Sequence, residues 1–406
     1  MAFNDFFRIL HNKRALKLFL PISTAYFFFA FGWGLTTPIF SIFINNVTGD
    51  LFLTGVILGL WGIVGLFSDV PFGVLIDKVS PKKLIQISLA AYLLITIGYT
   101  FATNFPMLFF VRVMHSFFGA LMWVAIWAYL YSKIEQKKAA QEIGLFSEFY
   151  DVAATASPLL GGLLVAVSFF TPFYLLSIFC FIAFMVITLF MPEQKNHKTH
   201  DGYFGLMKKE VFDIAKMGNV FYYLAIFLII VFGVNNIVLG FLPIILNSVG
   251  VGYELIGLII AATTLPAVLL EVPIGGFIDK VGRNKAAVVG LGISALCTAI
   301  LSFTLYVPVV IGTMFLFGIS TVMLVLLSNA AASDFTPKMG RGCFSGIVTF
   351  FKDVGNFVGP ILGGVALKFA GEPKTMLAIA IILAASALPM YLMFGKKRGI
   401  TDVKLS

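Results

Sequence analysis

Charged residues are scarce in this chain, and cysteine and histidine scarcer still. Only 12% of its 406 residues are Asp, Glu, Lys or Arg, about half the share of a soluble domain. A soluble enzyme or scaffold is excluded on that ground. Three cysteines, Cys180, Cys297 and Cys343, stand in or beside apolar runs at unrelated spacings. They make no disulfide framework, and four histidines without paired spacing make no metal site. Buried, inert thiols are the expectation. No nucleotide-binding loop or nucleophile–base pairing occurs, so nothing points to an enzyme or a cofactor.

Hydrophobic residues make up 60% of the chain. Runs of about twenty of them recur throughout, each long enough to cross a hydrocarbon core of about 30 Å. The first, from Leu16, is too long for a signal peptide's apolar stretch and has no small-residue cleavage site after it. Twelve spans are expected. The first six lie near Leu16–Ile44, Leu51–Ile76, Leu84–Ala102, Met107–Ser132, Ala140–Phe169 and Pro172–Met191. The second six lie near Val220–Leu246, Leu255–Ile278, Lys285–Phe303, Val309–Ser333, Cys343–Phe369 and Met376–Phe394. All must be helices, because lipid offers no partner to an unpaired backbone group. The polar segment 193–218 reads as a linker between a half at 1–192 and a half at 219–406.

The net charge of +9 is not spread as nucleic-acid binding would require. The amino tail, the even-numbered loops, the linker and the carboxyl tail hold 24 of the 28 Lys and Arg. The odd-numbered loops hold Lys368 and Lys374, while Arg112 and Lys352 fall within spans. That asymmetry predicts a multi-pass protein of the cell membrane with both termini and the linker in the cytoplasm. The sequon Asn46-Val47-Thr48 falls in a loop too short to be read as a glycosylation site.

One stretch is written twice, 202 positions apart. Asp69 through Lys83 returns as Glu271 through Lys285 with eight of fifteen positions identical, among them Gly73/Gly275, Asp77/Asp279 and Lys78/Lys280. At the same offset, Phe149 through Gly162 returns as Phe351 through Gly364.

The loop Gly275-x-x-x-Asp279-Lys280-x-Gly282-Arg283-Asn284-Lys285 resembles the signature of the major facilitator superfamily. Its first copy departs at Ser80 and Pro81 but keeps Lys82 and Lys83. Asp334-Phe335-Thr336-Pro337 followed by Arg341 is similar to that family's loop after helix ten. Gly355-x-x-x-Gly359-Pro360-x-x-Gly363-Gly364 is similar to its antiporter motif, found here in helix eleven. Helix five carries only the softened form Ser157, Pro158, Gly161, Gly162, and Arg112-Val113-Met114-His115-Ser116 matches the family's helix-four motif in part. The resemblance points to the drug:proton antiporter branch. It implies an all-α membrane protein of twelve transmembrane helices in two six-helix pseudo-symmetric halves.

It further implies that Gly73, Asp77, Lys78, Gly275, Asp279, Lys280, Arg283, Asp334 and Arg341 form gates on the cytoplasmic side. Helix eleven would lie beside helix two, and helix five beside helix eight. Pro158, Gly161, Gly162, Gly355, Gly359, Pro360 and Gly363 would then be packing or hinge positions. Asp353, about 200° around the helix from Gly355, cannot share that stripe.

Ionisable residues inside spans mark pathways or paired sites. Asp69, Arg112, His115, Asp151, Glu271, Lys352 and Asp353 are therefore candidates for proton coupling. Asp69 is expected to meet Lys352, whereas Glu271 would face Tyr150 and lack that cation, which favours its protonated form. Phe31, Trp33, Trp123, Trp127, Tyr150, Asn235 and Asn236 are candidates for a substrate cavity. The expected activity is proton-coupled export of a hydrophobic or amphipathic small molecule by a monomer in the lipid bilayer. A lipid or lysolipid flippase, a proton-coupled importer, and a non-transporting receptor or scaffold stay open.

Overall fold

The computed structural model describes residues 13–133, 139–193, 219–339 and 341–395. The side chains of Asp69, Asp77, Asp334, Arg341 and Cys343, and most of the linker, lie outside what it describes. Twelve long helices follow one another among the described residues. They are α1 Lys13–Thr48, α2 Leu51–Lys78, α3 Pro81–Phe101, α4 Phe105–Lys133, α5 Ala139–Leu164 and α6 Thr171–Phe190 in the first half. The second half holds α7 Asn219–Ser248, α8 Tyr253–Val281, α9 Arg283–Phe303, α10 Val307–Met339, α11 Arg341–Ala370 and α12 Glu372–Gly395.

Ten of the twelve are long and apolar enough to cross a membrane. The two outside that group are α5 and α11, which carry Glu148 and Asp151, and Lys352 and Asp353, in their middle turns. Charge thus collects on the same helix of each repeat.

The connections explain where the two copies of the repeat part company. Gly282 has a φ of 88°, a left-handed turn that glycine adopts without a Cβ penalty. Ser80 stands at the equivalent position with an ordinary φ of −60° and ψ of 138°, and Pro81 opens α3 with its ring already set to a helical φ. Two different turn chemistries therefore start the same helix. Lys82 then donates to the carbonyls of Thr188 (3.1 Å) and Met191 (2.5 Å), satisfying the end of α6.

The described residues form two compact units. One contains residues up to Thr48, 67–193 and 247–264. Its interior joins α1 to α5 and α6, and α3 to α4 and α6, around Tyr26, Phe72, Leu89, Met122, Tyr129 and Phe146. The other contains 49–66, 219–246 and 265–395. There α9 packs on α10 and α12, with the Ser294 and Ser320 hydroxyls 2.5 Å apart and Ser320 donating to the Gly290 carbonyl at 2.6 Å. The first turns of α2 thus belong with the second half's helices, and the first turns of α8 with the first half's.

Candidate functional site

Glycine sets how closely those exchanged turns can pack. A Cβ built on Gly55, Gly59 or Gly62 of α2 would run into the α11 backbone at Pro360, Phe357 and Asp353 respectively, and one on Gly364 would strike the Leu51 carbonyl. The other seam reproduces the two outermost of these contacts, while Ala261 and Thr264 stand where Gly59 and Gly62 do. Gly257 of α8 lies against the Pro158 carbonyl, and Gly162 of α5 against that of Tyr253. Each pair is the first pair displaced by 202 residues, so the duplication in the sequence is a duplication of contacts. Such small-residue seams let helices approach where lipid supplies no hydrophobic drive.

The Gly-Pro stripe has a second face. Gly355 and Gly359 rest on α7 at Ile229 and Gly233, while Gly363 meets Ile237. In the first half Gly161 meets the Leu35 backbone of α1. Asp353 is turned away from this face and toward α2: a Cβ at Gly65 would stand 2.7 Å from its Oδ2. The carboxylate is 8% exposed. Asn356 Nδ2 donates to Asp353 Oδ1 at 3.2 Å, and Asn236 Nδ2 donates to Asn356 Oδ1 at 2.8 Å. A carboxylate and two amides thereby form a polar chain through α11 and α7.

Next to it, Lys352 Nζ donates to Asn329 Oδ1 at 3.1 Å and lies 5.1 Å from the centre of the Phe232 ring. Thr321 Oγ1 approaches Asn235 Oδ1 at 3.4 Å. The expected partner of Lys352, Asp69, has its side chain outside the described residues. Glu271 is exposed on α8.

The other unit concentrates aromatic rings where this one has amides. Tyr26 stacks on Phe146 (centroids 4.8 Å) and on Tyr150 (5.1 Å), with Trp123 at 6.1 Å and Trp127 packed against both Trp123 and Phe146. Asp151 interacts electrostatically with Tyr26 and Tyr150. Phe31 packs on Phe27 and Phe179. Trp33 stands apart from this group, edge-on to His115 at 4.9 Å and to Phe40 at 5.2 Å, within the packed interior.

Arg112 and His115 share that interior. Arg112 is 5% and His115 1% exposed. The His115 Nδ1 pairs with the Tyr99 hydroxyl at 3.0 Å, and the Tyr92 hydroxyl donates to the His115 carbonyl at 3.3 Å. Arg112 lies 5.0 Å from the Phe40 ring centre. This is a buried cluster of polar groups among aromatic rings, in which the Ser116 hydroxyl is buried without a hydrogen-bond partner.

Of the gate candidates, Lys78, Asp279 and Lys280 are exposed, and the space around Gly275 is open. Arg283 Nη1 donates to the Ala330 carbonyl of α10 at 3.3 Å. Gly73 lies half-buried on α2, and Asp77, Asp334 and Arg341 fall outside the described side chains. The cysteines Cys180 and Cys297 are free and buried.

Sequence reasoning missed Asn356, which stands inside the Gly355-x-x-x-Gly359 pattern as an unread position. It also missed the α2 glycines, although Gly55, Gly59, Gly62 and Gly65 recur at helical spacing.

The Major Facilitator Superfamily profile matches residues 22–245 and 224–404. The chain is 25% identical over 367 residues to the multi-drug resistance efflux pump PmrA of Streptococcus pneumoniae, covering 87% of this chain and 90% of PmrA. It is 23% identical over 384 residues to the quinolone resistance protein NorA of Staphylococcus aureus, covering 92% and 95%. Among solved structures, the nucleoside transporter NupG superposes with a TM-score of 0.79 at 14% identity, over 94% of this chain and 100% of NupG. A bacterial homolog of the lysosomal transporter Spinster superposes with a TM-score of 0.74, also at 14% identity, over 98% and 99%. With the crossed glycine seams, the repeated helices and a profile match spanning nearly its whole length, the chain belongs to the Major Facilitator Superfamily.

Proposed function

We propose that this protein exports a hydrophobic or amphipathic small molecule from the cell in exchange for protons, each chain working by alternating access. The observation that carries the exchange is Asp353, a carboxylate buried in the glycine seam between α2 and α11 and held by Asn356. Burying a charge is costly, so a group placed there is kept for what it does. Glu271, exposed on α8, is the second acid able to take up a proton along the route. The export direction rests on the likeness to PmrA and NorA over most of the chain.

The Lys and Arg asymmetry supports cytoplasmic termini. The seams at the first turns of α2 and α8 then lie toward the outer face. Exposed Asp279 and Lys280 lie toward the cytoplasm, where they would engage when that side shuts. The Trp123, Trp127 and Tyr150 rings, packed around the buried Tyr26, offer flat apolar surface to a lipophilic cation.

Uptake into proteoliposomes, with and without an imposed pH gradient and over a panel of lipophilic cations, tests the reading. Flux that grows with the gradient is the expected result. Flux indifferent to the gradient overturns the coupling.

A further inference from the structure

Among the described helices of the second half, Lys352 is the only Lys or Arg that stands away from a helix end. Its neighbour Asp353 interacts with it electrostatically and balances part of its charge. The two side chains nevertheless diverge. Asp353 Oδ2 lies under Gly65 of α2, whereas Lys352 Nζ reaches Asn329 of α10 at 3.1 Å and the Phe232 ring of α7 at 5.1 Å. Asn329 is exposed, and Lys352 and Phe232 are half-buried, so the ammonium stands at a surface of its helix bundle. A cation at mid-span is costly against lipid, and such groups face the bundle interior or a water-filled cavity instead.

The repeat indicates which surface this is. Displaced by 202 positions, Asn329 and Lys352 fall on Trp127 and Tyr150. Those rings belong to the aromatic cluster of the first half, Trp127 against Phe146 at 5.9 Å and Tyr150 stacked on Tyr26 at 5.1 Å. The same two stations on equivalent helices thus carry rings in one half, and an amide and an ammonium in the other. The second pair offers donors: three N–H groups on the ammonium and two on the amide. A hydrogen bond from an ammonium to an oxyanion is about twice as strong as a neutral one. Polar groups continue from there, with Asn236 donating to Asn356 at 2.8 Å one turn further along α7 and α11.

We propose that Lys352 and Asn329 form a subsite for the anionic group of an amphiphile. A carboxylate, sulfonate or phosphate is held by the ammonium and the amide, and the apolar part of the molecule lies against the Phe232 ring. The inference rests on the transport reading and adds a substrate class to it, amphiphiles that carry a negative group. Asp69, the partner that the sequence suggests for Lys352, has its side chain outside the described residues and therefore enters the test.

The test is equilibrium dialysis of the full-length protein in phosphatidylcholine nanodiscs, with empty nanodiscs subtracted. Two probes share one ring system: anilinonaphthalene sulfonate carries the negative group, and phenylnaphthylamine lacks it. The parent protein is expected to bind the sulfonate more tightly. Lys352→Gln should lower the ratio of the two affinities about tenfold, and Lys352→Arg should retain most of it. A ratio that is the same in the parent and in Lys352→Gln overturns the subsite. So does a parent without preference that acquires one in Asp69→Asn, because Asp69 is then the ion that holds Lys352. Nanodiscs of phosphatidylglycerol separate two sources of the anionic group. If the Lys352-dependent preference vanishes in them, a lipid headgroup fills the subsite, and if it persists, a free amphiphile does. Gradient-driven flux of a lipophilic cation in proteoliposomes tests exchange independently. If that flux responds to the gradient while the ratio ignores Lys352, exchange stands and the subsite fails. If the ratio follows Lys352 and no flux responds, the subsite stands without the exchange.

Discussion

Gly359 and Gly233 meet backbone to backbone, α11 against α7. A Cβ on Gly359 would lie 2.5 Å from both the Cα and the carbonyl oxygen of Gly233. The reverse is not true: a Cβ on Gly233 finds its nearest neighbour at 3.5 Å, an ordinary contact. Gly359→Ala is therefore expected to cost about 1–3 kcal/mol, because backbone cannot give way as a side-chain tip can. Gly233→Ala should be tolerated or gain up to about 1 kcal/mol from helix propensity. Denaturation in detergent checks the pair, and equal effects would contradict the packing described.

Glu271 tests the coupling from the other half of the repeat. Its replacement by Gln keeps the shape and removes the charge. Glu271→Gln is expected to retain substrate binding while losing most of the stimulation of flux by a pH gradient. Wild-type proton dependence in that variant would remove Glu271 from the exchange.

The Asp50–Lys368 ion pair joins the start of α2 to the end of α11. Asp50 also accepts from the Phe52 and Leu53 amides at 2.9 and 3.1 Å, capping α2. The Lys368 hydrogen bond, followed by the amide bonds, holds the Asp50 carboxyl below its ordinary value. A group depressed in the folded state adds stability above its unfolded pKa and loses it as pH falls through the folded one. For Asp50 that window begins near the ordinary value of about 3.9 and extends downward. Lys368→Ala should thus lower the melting temperature slightly and equally at pH 5 and pH 8, as exposed pairs are weak. The difference should shrink only in stronger acid. A difference that faded between pH 8 and pH 5 would contradict this assignment.

Tyr99 and Tyr92 both reach His115, but unequally. Tyr99→Phe deletes the 3.0 Å partner of a buried ring nitrogen and should cost about 0.6 kcal/mol, the average for bonds between membrane helices, and no more than about 1.7 kcal/mol. Tyr92→Phe removes a 3.3 Å bond to a carbonyl and should cost less. Thermal melts of the two variants, with transport measured alongside, give the order.

Much of the fold could be read because membrane burial leaves coarse marks. Apolar runs, breakers and the repeat place twelve helices, and Gly355, Gly359, Gly363 and Asp353 are separable by angle alone. Asn356 was not legible, because a single amide among apolar residues acquires meaning only from Asp353 and Asn236 across 3 Å gaps. Trp33 shows the converse. Its ring suggested a cavity wall, yet the face of α1 it occupies meets Phe40 and His115 in the interior. Composition records that a ring is present, and only packing decides which way it looks.

The crossed seams carry one consequence for origins. Gly55 on Pro360 and Gly257 on Pro158 have the reciprocity of an isologous dimer contact, in which i touches j and j touches i. A single ancestral six-helix chain would have met its twin through the same two patches. Within one chain the two copies need not match, and Asn236 and Asn356 have Gly34 and Ala154 as their equivalents, so the amide chain stands on one side alone. The two seams together have the symmetry of a homodimer contact, held within one chain whose halves are free to differ.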